Sequence, residues 1–243
     1  IFYGIPPTVA AASAATQVTG ASVSGVMAHL ERGGVDLRMG GILVVGGVIG
    51  SLIGALLFDI LADIGQIDTA ISILYVALLG TVGTFMGKEA WGVFRANKAG
   101  VPPPARKRRH HPLVASLPLR WRFYRSGLYI SPLAPLILGA VVGILTMLLG
   151  VGGGFIMVPA MLYLLGMSTQ VVVGTSLYQI LFVTIATTMV HSMTTGAVDI
   201  VLAGLLLLGS VVGAQVGARF AQRAKPEYLR LALAVIVLLV ALQ

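Results

Sequence analysis

The sequence predicts an all-α, polytopic membrane helix bundle built from two inverted-topology repeats with broken or re-entrant helices, and three observations carry that prediction. Hydrophobic residues make up 57% of the chain and charged ones 10%, where a soluble domain has roughly 25% charged, so the chain reads as an integral membrane protein. Several windows reach the ~20 apolar residues that a spanning helix needs, and their Leu/Val/Ala/Gly make-up lacks the alternation of a barrel strand. The second half also repeats the first. Gly4-Ile5-Pro6-Pro7-Thr8-Val9 falls on Gly166-Met167-Ser168-Thr169-Gln170-Val171, and at the same offset Gln17 falls on Gln179, Met27 on Met189 and His29 on His191. One residue later in phase, Val35-Asp36 falls on Val198-Asp199, and Gly41, Gly46, Gly50 and Gly54 on Gly204, Gly209, Gly213 and Gly217. In so apolar a chain, a long repeat of this kind marks a transporter whose halves face each other across a central site.

The first repeat, 1–88, is expected to hold helices at about residues 6–30, 36–61 and 68–88. Ile1-Phe2-Tyr3 reads as the tail of a segment that begins upstream. On the first helix Ser13, Thr16 and Gln17 lie within one turn, so their spacing points them to one face. His29 ends that helix, where an imidazole either caps the last carbonyls or titrates near neutral pH and couples transport to protons. Asp36 is read as the N-terminal cap of the second helix. Gly46, Gly50 and Gly54 then recur every four residues and read as a packing groove for a neighbouring helix. The turn at 31–38 carries Arg32 and Arg38, whereas the turn at 59–68 carries three acids and no base, so the first is placed inside and the second outside.

Residues 89–131 are expected to form a basic cytoplasmic loop between the repeats. Lys88, Arg95, Lys98, Arg106, Lys107, Arg108, Arg109, Arg120, Arg122 and Arg125 face the single acid Glu89 between residues 88 and 132, a surplus of +9 where the whole chain carries +8. A nucleic-acid patch would look similar, but a basic loop between spans is what the positive-inside rule produces, with contact to anionic membrane lipid as its corollary. Val101-Pro102-Pro103-Pro104 marks a linker within it, and His110-His111 reads as solvated.

The second repeat, 132–243, is expected to hold helices at about 132–149, 155–165, 169–193, 197–222 and 226–243. Between the first two, Gly150-Val151-Gly152-Gly153-Gly154-Phe155 should interrupt the helix, each glycine costing ~1 kcal/mol against Ala. Freed amides at Gly152, Gly153, Gly154 and Phe155 would present donors and a positive dipole end to an anion. Thr175, Ser176 and Gln179 repeat the earlier polar trio, and neutral donors suit a partly dehydrated anion that must also leave. His191 mirrors His29, and Asp199 mirrors the cap at Asp36. Here the basic turn is 219–225 and the uncharged one 192–196, so the orientation is reversed relative to the first repeat. The chain has no cysteine, which excludes disulfides and thiol chemistry. No nucleophile, base and acid stand at interpretable spacing, no metal ligands cluster, and no cofactor is expected. The reading is therefore not an enzyme.

Gly150-Val-Gly-Gly-Gly-Phe-Ile-Met-Val-Pro159, followed by Gly174-Thr175-Ser176, resembles the sulfite exporter TauE/SafE family of membrane permeases. Where the second copy has Gly174-Thr175-Ser176, the first offers Ala12-Ser13-Ala14, and it lacks the glycine-rich turn. The resemblance implies a carrier that moves sulfite, an organosulfonate such as sulfoacetate, or a related small anion across the bacterial inner membrane by alternating access. A small-carboxylate transporter and a non-transporting membrane scaffold or insertion factor remain the alternatives. A homodimer is compatible with the sequence, and no nucleic-acid partner is expected.

Overall fold

In the computed structural model, which describes residues 6–98, 121–194 and 198–223, helices dominate: α1 (Pro7–Glu31), α2 (Leu37–Asp63), α3 (Ile67–Lys98), α4 (Leu133–Leu149), α5 (Gly154–Tyr163), α6 (Thr169–Thr194) and α7 (Ile200–Arg223). Leu37–Asp63, Ile67–Thr84 and Val171–Thr194 are long and apolar enough to cross a membrane, with α4 and the first part of α7 as shorter apolar helices. The expected helix at 226–243, the linker at 101–104 and His110-His111 lie outside the described residues. The chain divides into two compact units, one drawn from Ile1–Asp68 and Arg108–Leu208, the other from Thr69–Lys107 and Gly209–Gln243.

Local chemistry sets the helix ends in the first unit. Pro7 occupies the first turn of α1, where its missing N–H has no acceptor to lose. Gly33 stops that helix in the left-handed region at φ 66°, and the next amide, Gly34, returns to the His29 carbonyl at 2.8 Å. Asp36 then starts α2 as expected, its Oδ1 accepting from the Met39 amide at 3.1 Å. Asp199 does the same for α7, accepting from Val201 and Leu202 at 2.9 and 3.0 Å.

The glycine groove on α2 is occupied by α4. A Cβ at Gly46 would collide with the Leu136 carbonyl, one at Gly50 with the Ala140 carbonyl, and one at Gly54 would lie 2.8 Å from Met147 Cβ and 3.2 Å from Ile144 Cα. Partner numbers rise in step, so α2 and α4 run parallel with backbones in direct contact. Gly139 and Gly143 of α4 return the fit against the Leu43 and Gly47 carbonyls. The equivalent glycines of the second copy differ: at Gly204, Gly209 and Gly213 an added Cβ meets nothing within 4 Å among the described residues, as at Gly41.

The inter-repeat segment is not wholly loop, and the helical class acquires a small β element. Strands β1 (Trp121–Phe123) and β2 (Leu128–Ile130) pair antiparallel, Trp121 opposite Ile130 and Phe123 opposite Leu128. Phe123, Leu128 and Ile130 point into the core with Met39, Leu43, Val142, Met157 and Met161, while Trp121, Tyr124 and Tyr129 face out. Three-residue strands give an alternation too short to stand out beside so many basic residues. In the other unit, α3 continues to Lys98, ten residues past the expected end, because Glu89-Ala90-Trp91 and the residues after it contain no strong breaker beyond Gly92.

Candidate functional site

The interruption between α4 and α5 is real and is built on glycine. Gly150, Gly152 and Gly153 all have φ between 67° and 71°, a region where a side chain is strained. Space forbids one as well: a Cβ at Gly150 would strike the Ala11 carbonyl, one at Gly152 would lie 2.6 Å from Val18 Cγ1 and 3.3 Å from Ile180 Cγ2, and one at Gly153 would strike Val142. The break is thus seated between α1 and α6. The Ile156 and Met157 amides both return to the Gly153 carbonyl, at 3.1 and 2.8 Å. That leaves the Gly154 and Phe155 amides, at the head of α5, with no acceptor inside the helix. The side chain of Phe155 lies outside the described residues.

α1 and α6 carry the equivalent polar trios and cross in opposite directions. Thr16 meets Thr188 at 3.4 Å, Thr19 Oγ1 donates to Thr184 Oγ1 at 2.8 Å, and Gly25 faces Leu177, so partner numbers fall on one helix as they rise on the other. Two members of the trios are committed to the opposite copy's turn. Thr175 Oγ1 accepts from the Asp36 amide at 3.0 Å, and Ser13 Oγ accepts from the Asp199 amide at 3.1 Å. Each hydroxyl thereby completes the N-terminus of a helix in the other repeat. Ser176 donates to its own helix at the Val173 carbonyl, 2.9 Å away, and Thr16 likewise to Ala12 at 3.1 Å.

Gln179 is the exception. It is fully buried, and among the described residues neither its Nε2 nor its Oε1 has a hydrogen-bond partner. Its amide lies against the Gly47 backbone of α2, where an added Cβ would be 3.1 Å from Nε2 and would strike Val183. Thr187, two turns further along α6, has a buried hydroxyl in the same condition. An unsatisfied buried polar group costs about 1–3 kcal/mol, so an amide and a hydroxyl in this state would gain from any water or ligand that supplied partners. Gln17, its counterpart on α1, is only half-buried.

The two histidines part company. His29 Nδ1 lies 2.9 Å from the Gly25 carbonyl, one turn back on its own helix. His191 is fully buried: Nε2 lies 3.0 Å from the Met147 carbonyl, one turn before the break, and the ring stands edge-on to Phe58 at 5.3 Å. Sequence reasoning passed over Thr184, Thr187 and Gly47. The first two share α6 with Gln179 at spacings of five and eight residues, a polar stripe legible in an apolar helix once the window is lengthened. Gly47 became a site residue only through its neighbour. Among the described residues no cluster of His, Cys, Asp and Glu could hold a metal ion.

Compared with known proteins, residues 1–243 match the family model described as "Sulfite exporter TauE/SafE". A "Probable membrane transporter protein YjnA" of Bacillus subtilis (strain 168) is 36% identical over 104 residues, which is 42% of this chain and 40% of that protein. No solved structure matches.

Proposed function

As the chain belongs to the sulfite exporter TauE/SafE family, whose members are membrane transporters rather than enzymes, we propose that it carries a small sulfur-containing anion, sulfite or an organosulfonate such as sulfoacetate, across the bacterial inner membrane. The single observation that carries the proposal is Gln179, buried inside a candidate span with both amide atoms unpartnered among the described residues. A neutral amide and hydroxyls offer an anion directed hydrogen bonds without a fixed cation, which would hold the anion too tightly and would itself be costly at depth. The Gly154 and Phe155 amides at the head of α5 add donors and the positive end of a helix dipole. In this reading Gln17, Ser13, Thr16, Thr175 and Ser176 line or support the path, and α4–α5 is a re-entrant pair broken at Gly150–Gly153.

Transport then proceeds by alternating access between inverted halves. Two features support the inversion: α1 and α6, which carry equivalent residues, lie antiparallel, and the bonds from the Asp36 amide to Thr175 and from the Asp199 amide to Ser13 are exchanged between the copies. The basic residues of 89–131 support a cytoplasmic side for that segment by the positive-inside rule, and His29 and His191 are the candidate proton-coupling groups. The test is uptake of labelled sulfite into proteoliposomes, with and without an imposed pH gradient, for wild type and Gln179→Ala. Loss of at least tenfold in rate with the protein still folded is expected. Wild-type protein that moves acetate but not sulfite would make it a carboxylate carrier, and no flux of either anion would favour the scaffold.

A further inference from the structure

Beside the β1–β2 hairpin, among the described residues, stand arginines that no acid neutralises. Its tip is fastened to the α1–α2 turn: the Ser126 amide donates to Asp36 Oδ2 at 3.0 Å, Ser126 Oγ donates to the same oxygen at 2.5 Å, and Arg125 Nη1 donates to the Gly33 and Val35 carbonyls at 3.1 and 3.2 Å. Arg125 and Asp36 are used up in this clasp. Two further arginines are not. Arg38 Cζ lies 5.8 Å and Arg122 Cζ 5.9 Å from the centroid of the Tyr124 ring, and among the described residues no carboxylate pairs with either. An aromatic face positions a guanidinium without cancelling its charge, so both retain their full capacity for a phosphate.

We propose that the outward face of this hairpin, together with Arg38, is a binding surface for the phosphate headgroup of an anionic lipid in the membrane the chain spans. Location favours lipid over a free anion. Arg38 is the second residue of the candidate span Leu37–Asp63, so its guanidinium stands where the apolar helix begins, at headgroup depth. Trp121, Tyr124 and Tyr129 are 58%, 73% and 59% exposed on the same hairpin, and rings with one apolar and one polar end settle at that depth. The opposite face is locked in the core by Phe123, Leu128 and Ile130, so the surface is fixed in place before the lipid arrives. Each arginine brought to an anionic surface is worth about fivefold in partition.

Trp121 supplies the readout, because the chain has two tryptophans and Trp91→Phe leaves it alone. The full chain is reconstituted in vesicles containing phosphatidylglycerol or phosphatidylcholine with brominated acyl chains, and quenching of Trp121 is titrated with each. A preference of roughly twentyfold for the anionic lipid is expected, abolished in Arg38→Gln/Arg122→Gln and reduced by about threefold in Tyr124→Leu, which keeps both charges. Unchanged quenching by brominated phosphatidylcholine in the variants shows that the hairpin still sits at the surface. Equal quenching by the two lipids in wild type, or a preference that survives the double substitution, overturns the proposal. So does its abolition by inorganic phosphate or by poly-glutamate at fixed ionic strength, which would assign the surface to a free anion or to an acidic protein segment.

Discussion

The α2 and α7 helices carry the same glycine stripe at the same spacing, yet α4 fills one, while among the described residues nothing lies within 4 Å of a Cβ added at Gly204, Gly209 or Gly213. Around α2 the backbone of α4 lies in direct contact at Gly46 and Gly50, Gln179 lies against Gly47, and the cap Asp36 is fully engaged. Around the start of α7 the matching glycine, Gly204, is exposed, and Asp199 is an exposed cap bonded to its own helix and to Ser13. A repeated pattern therefore sets where close packing is allowed, and the neighbour sets what it is worth.

The comparison breaks most sharply at Gly50. Gly50→Val puts side-chain atoms into the Ala140 carbonyl of a helix that cannot withdraw without leaving the groove, so a loss of about 3 kcal/mol or more is expected, whereas Gly204→Ala, with open space around it among the described residues, should lose nothing and gain up to ~1 kcal/mol. Unfolding in mixed micelles, with helicity as the signal, measures both; equal changes would mean that α4 resists an added side chain at Gly50 no more than open space does at Gly204. Next in size is the cap. Asp36→Ala removes the acceptor for Met39 and for both Ser126 donors in a buried place and should cost about 2–3 kcal/mol, whereas Asp199→Ala should cost about 1 kcal/mol, the ordinary worth of an exposed cap.

Gln179 sharpens the comparison in a different currency. Gln179→Met replaces an unsatisfied amide by an apolar side chain of similar length, so stability should rise by about 1 kcal/mol while sulfite uptake falls by at least tenfold; Gln17→Met, at a half-buried position, should change stability by less than ~0.5 kcal/mol. A Gln179→Met protein that is less stable and still transports would reduce the amide to packing. The exchanged hydroxyls come last, with small effects. Thr175→Val and Ser13→Ala should each cost ~0.6 kcal/mol, the typical worth of a hydrogen bond between membrane helices, read in the same unfolding assay.

Much of this was legible in the residues because it is local. Pattern and composition give the helices, the two Asp caps, the break at Gly150–Gly154 and the groove on α2, since capping, left-handed glycine and small-residue spacing each act within a turn or two of chain. Asp36 and Asp199 were readable as caps from the turn that precedes them. Their second partners, Thr175 and Ser13, were not, because nothing in a sequence marks which distant hydroxyl will face a given amide.

The sequence alone determined that this is a helical membrane protein of two related halves with a glycine break in the second, and it picked out Gln17 and Gln179 together as equals. Only the tertiary structure separated them. Burial and hydrogen-bond satisfaction belong to the whole packed assembly, so identical residues in similar local patterns end in different states: Gln179 buried against Gly47 with its amide unpaired among the described residues, Gln17 half-buried. The hairpin was decided the same way, since a three-residue alternation becomes a strand pair only when the core accepts Phe123, Leu128 and Ile130 and Asp36 holds its tip.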